Sequence, residues 1–218
     1  AVPCASVTVV DDASSPVQEE TAEALRSMGA EYVQSSWERH GNLRGPDCIR
    51  GMLSEMCREA EDDDILVKVD CDTALLDGGW LRWMEQRPWC QMYTSGDFVN
   101  GDWRVFGCLY ALRGWIARRL YREMDWSLLD DRAPEDWTIG REVLARVPAA
   151  LCRIDEPWRK RSPWSIWTAW CWPSRTVSAE SYAARFAVVI TGSPRMSNQP
   201  ASERARVMPV SYTHLTLP

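Results

Sequence analysis

Three acidic pairs have the residue types and spacing to do chemistry: Asp11 with Asp12, Asp70 with Asp72, and Glu135 with Asp136. Asp70 and Asp72 stand where an apolar run ends, in "LVKVDCDTALL". Two carboxylates one residue apart repel each other unless a cation or hydrogen-bond donors compensate. Hard oxygen ligands of this kind suit a Mg2+ or Mn2+ ion that is shared with phosphates. A calcium loop of the EF-hand type is excluded, because it requires an oxygen ligand where Ala74 stands and a glycine where Leu75 stands. Glu135 and Asp136 follow Pro134 at a helix start. Acids in a first turn are favourable for the helix dipole alone.

Spacing by itself carries little weight, since Asp62 and Asp64 repeat the D-x-D pattern in what reads as an exposed turn. Position separates the pairs, and position depends on the elements around them. "ASVTVVDDASS" is a β-branched run that delivers Asp11 and Asp12 into a loop. "SPVQEETAEALRSMGA" then has proline at its start, acids in the first turn and glycine at the stop, which predicts a helix with Val17, Thr21, Ala24, Leu25 and Met28 as its apolar face. "EYVQSS" reads as a strand. "GPDCIRGMLSEMCREA" reads as a second helix with Ile49, Met52, Leu53, Met56 and Ala60 on one face, and "DILVKV" as a third, central strand. Strand, helix, strand, helix, strand is the grammar of an α/β fold, a mostly parallel sheet sandwiched by helices. In such sheets ligands bind at the carboxyl ends of strands, where two of the acidic pairs fall.

Farther along, "QMYTSG" reads as a strand and "RVFGCLYALRGWIARRLYREM" as strand or loop leading into helix. "DDRAPEDWTIGREVLARV" predicts a helix that buries Trp137, Val143, Leu144 and Val147. Trp164 and Trp167 with Cys171 fall at helical spacing within the densest group of the 13 tryptophans, which predicts a core-facing or groove-lining helix.

The formal net charge of -6 over 218 residues argues against nucleic acid as a partner, because phosphate backbones require an excess of Lys and Arg on one face. No run approaches the roughly 18 apolar residues of a membrane span. Eight evenly spread cysteines with no CxxC predict reduced, mostly buried thiols rather than a disulfide or zinc framework. The expected location is the cytoplasm or the cytoplasmic face of a membrane, with peripheral association allowed. Residues 209–218, "PVSYTHLTLP", resemble the translation of a sequencing adaptor and are set apart from a single domain over 1–208. His214 goes with them, leaving His40 as the one remaining histidine.

"VTVVDDASS", "GNLRGPDCIRGMLSEMCREAEDDDILVKVDCDT", "FGCLYALRG" and "PEDWTIG", in this order, resemble the landmarks of GT-A glycosyltransferases, in particular the family-2-like group that uses nucleotide-diphosphate sugars. The resemblance implies the Rossmann-like GT-A fold, a Mn2+ or Mg2+ cofactor, a donor of the UDP-sugar kind, and transfer to a hydroxyl of a saccharide, lipid or protein acceptor, with inversion. It implies that Asp12, with Asp11 beside it, meets the donor's base. By the same resemblance Asn42 and Arg44 would approach the nucleotide or its phosphates, Asp70 would touch the ribose and Asp72 would ligate the metal. Gly107 to Arg113 would form an acceptor-side loop, and Asp136, with Glu135 beside it, would be the catalytic base. A member of that group begins with a further strand and helix ahead of "VTVVDD", so the resemblance predicts a chain truncated at its front.

Two other readings compete. A nucleotide-sugar-binding domain that keeps the sheet but not turnover would suit the many tryptophans, which stack on sugar faces. "VKVDCDTALL" also resembles the first motif of haloacid-dehalogenase-type phosphatases, with Asp70 as nucleophile and Asp72 as acid-base. Those enzymes require a lysine followed by an acidic pair downstream. The lysines here are Lys68 and Lys160, and no aspartate follows the second.

Overall fold

The computed structural model describes residues 6–11, 13–38, 43–71, 73–75, 78–99, 102–155, 168–169 and 188–190. Asp12, Asn42, Asp72 and the 209–218 segment lie outside them. The α/β order expected from the pattern is observed. Strand β1 (Thr8–Asp11), helix α1 (Glu19–Ser27), strand β2 (Glu31–Gln34), helix α2 (Pro46–Cys57) and strand β3 (Ile65–Val69) follow in turn. Then come β4 (Thr73–Leu75), α3 (Gly79–Glu85), β5 (Met92–Val99), β6 (Asp102–Arg113), α4 (Gly114–Glu123), α5 (Glu135–Arg146) and β7 (Cys152–Asp155). Two short strands, β8 (Thr168–Ala169) and β9 (Val188–Ile190), pair with each other and with β4.

The crossover pairs β1–β2 and β5–β7 are parallel, as a strand–helix–strand order requires. The β5–β6 hairpin inserts an antiparallel strand into the middle of the main sheet, whose order is β3-β6-β5-β7. Gly107 to Arg113 therefore belong to a strand rather than to a loop. The sheet's alternating residues feed two cores. On one face Met92, Tyr110 and Leu112 pack with Ile49 and Leu53 of α2, Ile116 and Leu120 of α4, and Ile139 and Val143 of α5. On the other, Tyr93, Leu109 and Ala111 pack with Trp80, Trp83 and Met84 of α3. Buried Arg113 ties α3 to the sheet by donating to the carbonyls of Met84 (2.8 Å) and Arg87 (3.3 Å) at the helix's C-terminal end, as well as to Asp63 and Cys90. A guanidinium there complements the helix dipole.

Three local expectations are corrected. Trp137 is 51% exposed, because α5 meets the sheet through Glu135, Thr138, Ile139 and Val143, and Trp137 lies two residues, about 200°, around the helix from Ile139. Val17 and Met28 are exposed too; α1 rests on the two-stranded β1–β2 unit through Ala22, a line of contact too narrow to cover the whole apolar stripe. The helix expected across 164–171 does not form at Thr168–Ala169, which pair with β9 as a strand; the tryptophans around them lie outside the described residues. Helix α3, with its buried Trp80 and Trp83, was not anticipated. Cys48, Cys90 and Cys108 are buried as expected, Cys57 and Cys152 are partly buried and Cys71 is exposed, and burial pushes the Cys90 thiol up to about 11. Among the described residues no helix is long and apolar enough to cross a membrane.

Candidate functional site

Strand β3 pairs antiparallel with β6 so that Lys68 faces Tyr110 and Val69 faces Leu109. One residue on, the Asp70 amide donates to the Cys108 carbonyl at 3.0 Å, which fixes Asp70 at the strand's carboxyl end. Lys68 and Asp70, two apart on a strand, project to one face, the face covered by α5. There β6 is irregular: between the pairs Thr94–Tyr110 and Gly96–Val105, β5 advances two residues while β6 advances five. The slack turns the Gly107 carbonyl toward Lys68, whose ammonium donates to it. Bulges of this kind re-aim groups beside functional sites.

The Lys68 ammonium is almost sealed from solvent and collects four partners. It donates to Asp70 Oδ1 at 2.5 Å and to the Gly107 carbonyl, lies 3.7 Å from Glu135 Oε2, and sits 5.7 Å from the centre of the Tyr110 ring. Burial works against its charge, but the Glu135 and Asp70 carboxylates outweigh it and hold the pKa above the ordinary lysine value. The opening repulsion around Asp70 is thus met, within the described residues, by a lysine that the sequence reading left unassigned. The one available signal was its place in "ILVKV": a lysine in a central apolar strand is rarely buried without a partner.

Glu135 is 3% exposed and its carboxylate is enclosed. The Tyr110 hydroxyl donates to Oε1, and Oε2 faces Lys68. Burial pushes Glu135 up to about 7; Lys68 and the Tyr110 hydroxyl pull it down, and Asp136 and Asp70 push it further up. Asp136 is half-buried. Burial raises its pKa too, against the Trp137 amide, the Lys68 charge and the Gly107 amide, each of which stabilises its anion. Gly107 permits this approach: a Cβ there would lie 3.1 Å from Asp136 Cβ and 3.2 Å from Glu135 Oε2.

The backbone brings a further predicted residue alongside. Arg44 forms an antiparallel bridge with Pro134, the Glu135 amide donates to the Leu43 carbonyl at 3.1 Å, and the Gly45 amide donates to the Ala133 carbonyl at 3.1 Å. Leu43 and Gly45 both have positive φ (48° and 82°), a tight turn that starts α2 next to the start of α5. The Arg44 side chain is exposed beside this junction. Lys68, Asp70, Glu135 and Asp136 therefore converge, with the Arg44 backbone alongside at the start of α5.

Asp11 does not join them through any strand pairing. Its Oδ2 accepts from the Val17 amide at 2.7 Å and from the Tyr32 hydroxyl, so this carboxylate closes the turn between β1 and α1 in a separate two-stranded sheet. A second buried polar group lies on the opposite face of the main sheet and also escaped the sequence reading. The Tyr93 hydroxyl donates to Asp155 Oδ2 at 2.9 Å, and Arg153 donates to Asp155 Oδ1 at 3.1 Å while stacking 4.4 Å from the Trp83 ring. Among the described residues no group of three or more His, Cys, Asp or Glu is arranged to hold a metal ion. Asp70 still fits a hard cation as a partial ligand, since its carboxylate is 35% exposed at the strand's rim and Lys68 is bonded to one oxygen.

Glu135 makes a pH prediction. Its folded pKa near 7 lies above the ordinary glutamate value of about 4.3, so between these values the native chain holds a proton that the unfolded chain has released. Stability therefore falls as pH rises through this window and levels off above it. Glu135→Gln should remove this fall, on the order of 1–3 kcal/mol, from urea unfolding curves taken between about pH 4.5 and pH 8. An identical slope in the variant would assign the pH dependence to other groups.

No family model matches this chain, and no curated protein does. Among solved structures, it is similar to "crystal structure of a glycosyltransferase involved in the glycosylation of the major capsid of PBCV-1", at 12% identity and a TM-score of 0.40, over 94% of this chain and 100% of that one. A likeness of this size transfers no residue role.

Proposed function

We propose that this chain transfers a sugar from a nucleotide-diphosphate donor, of the UDP-sugar kind, to an acceptor hydroxyl with inversion. The observation that carries the reading is the convergence of a rim carboxylate, Asp70, with a half-buried and a buried carboxylate, Asp136 and Glu135, around one buried ammonium. Asp136 is the base. As the acceptor oxygen attacks the anomeric carbon and the bond to the diphosphate oxygen breaks, its carboxylate takes the hydroxyl proton. Burial raises its pKa above the ordinary aspartate value, which makes its carboxylate a stronger base. Glu135 has no room for an acceptor. It positions instead, holding Lys68 and Tyr110 beneath Asp136. Asp70, with Asp72, would hold Mg2+ or Mn2+, which when bound neutralises the charge on the departing diphosphate. Arg44, exposed at the junction of the two helix starts, would meet phosphate oxygens.

A phosphatase of the haloacid-dehalogenase kind is disfavoured by Asp70 itself. Its carboxylate is bonded to the lysine two residues before it, on a strand whose observed neighbour is antiparallel. The test of the transferase reading is calorimetric titration of UDP and GDP with and without Mn2+. Mn2+ should tighten one of the two by about tenfold or more, roughly 1.4 kcal/mol, and Asp72→Ala should abolish the difference. Binding that ignores the metal would remove the metal assignment, and with it this reading of Asp70 and Asp72.

A further inference from the structure

The chain has a concave site away from the carboxylate cluster. Helix α2 runs from the Arg44–Pro134 junction along the side of a cavity of about 570 Å3, within the roughly 300–1,000 Å3 range of small-ligand sites. Neither Glu135 nor Asp136 lines it. Its walls come from the loop after β2, from α2 and from Tyr121 of α4. The most constrained wall is Trp37. A Cβ on Gly51 would lie 2.4 Å from Trp37 Cδ2, 2.4 Å from Cε3 and 2.8 Å from Cε2. Nearly equal distances to three fused-ring atoms mean that the indole lies face-on against the helix at the position where the helix has no side chain. Glycine within a helix costs about 1 kcal/mol relative to alanine. Here that cost seats a flat ring whose outer side lines the cavity. The loop carrying the ring is held as well: the Ser35 hydroxyl, buried, donates to the Trp37 carbonyl at 3.0 Å and accepts from the Ala13 amide at 3.1 Å.

Around this ring stand acceptors and donors together. Glu38, Asp47 and Glu55 contribute carboxylates, Arg50 a guanidinium and Ser54 a hydroxyl. Glu55 is itself paired with Arg58 at 3.3 Å, and the acids still outnumber Arg50 on the lining, a poor seat for phosphate. The Arg50 guanidinium, which lies over the Tyr121 ring at 5.9 Å on the same lining, repels a second cation in this space, and choline is the competitor that tests this. A neutral sugar matches on both counts. Its C–H face stacks on an indole, and its hydroxyls both donate to carboxylates and accept from a guanidinium or a serine.

We infer that the Trp37–α2 cavity binds a neutral oligosaccharide, apart from the Asp136 centre. This inference does not rest on sugar transfer, since a chain without turnover would bind the same ligand. The experiment is saturation-transfer NMR on the full chain with maltotriose, cellotriose and triacetylchitotriose as neutral probes, and with UDP and choline as competitors. At least one trisaccharide should receive saturation. Trp37→Ala and Gly51→Ala should each weaken it about tenfold, the second by pushing the ring off its seat, and Asp47→Asn, an exposed change that leaves the core intact, should weaken it about threefold. Neither UDP nor choline should displace it, and Asp136→Asn should leave it unchanged. The inference is overturned by any of three results: no trisaccharide binds at about 10 mM, binding survives both ring variants intact, or a competitor displaces the sugar.

Discussion

Asp136→Asn should lower sugar transfer by about 10²–10⁴-fold while leaving the free energy of unfolding within about 1 kcal/mol of the parent. The two halves of this expectation have separate causes. Asparagine keeps the shape of aspartate and an oxygen that can still accept the Trp137 amide, a bond of 2.9 Å in the parent. It cannot take a proton from a hydroxyl. Loss of rate with retained stability is therefore the signature of a base, whereas loss of both would mark Asp136 as a first-turn acid that serves the helix. Glu135→Gln is the companion. Glu135 touches no open space, so its loss should act through the placement of Lys68 and Tyr110 and cost less rate than Asp136→Asn at neutral pH. A chain that binds UDP with its metal but transfers no sugar, with or without Asp136, would be the non-catalytic binding domain instead.

Lys68→Met should destabilise the chain by about 3–5 kcal/mol, measured by urea unfolding at neutral pH. The methionine fills much the same volume, so packing changes little. What changes is that Glu135 loses the Lys68 ammonium while remaining 3% exposed, and Asp70 loses the donor on its Oδ1. An uncompensated buried carboxylate either keeps a desolvated charge or takes up a proton, and both cost stability. Adding Glu135→Gln to Lys68→Met should recover about 1–2 kcal/mol, because the stranded carboxylate is gone. If Lys68→Met alone costs less than about 1 kcal/mol, the ammonium is not the centre of the cluster and its contacts are incidental.

Much of the scaffold was legible because its signals are local. A proline and acids opening α2 and α5, and β-branched or apolar runs in β1 and β3, are properties of short windows, and these elements stand where the windows predict them. The buried face of α2 was legible for the same reason: Ile49 and Leu53 repeat at helical spacing toward a large sheet. The same rule misled at α1 and at Trp137. Periodicity states which residues share a side, but not whether the neighbouring surface is wide enough to cover them or which side it lies on.

The candidate site divides along the same line. That Asp70 ends a strand and that Glu135 and Asp136 open a helix was written in the chain, since period-two alternation and first-turn chemistry need no distant partner. That Asp11 would spend its carboxylate on Tyr32 and Val17, that Lys68 would face Glu135, and that Gly107 would turn its carbonyl out of the ladder were decided by the assembled sheet. Each depends on a register, an irregularity in β6 or a missing Cβ at a contact far apart in sequence. A buried charge takes whichever partner the packing brings within reach, and only the tertiary structure specifies that partner.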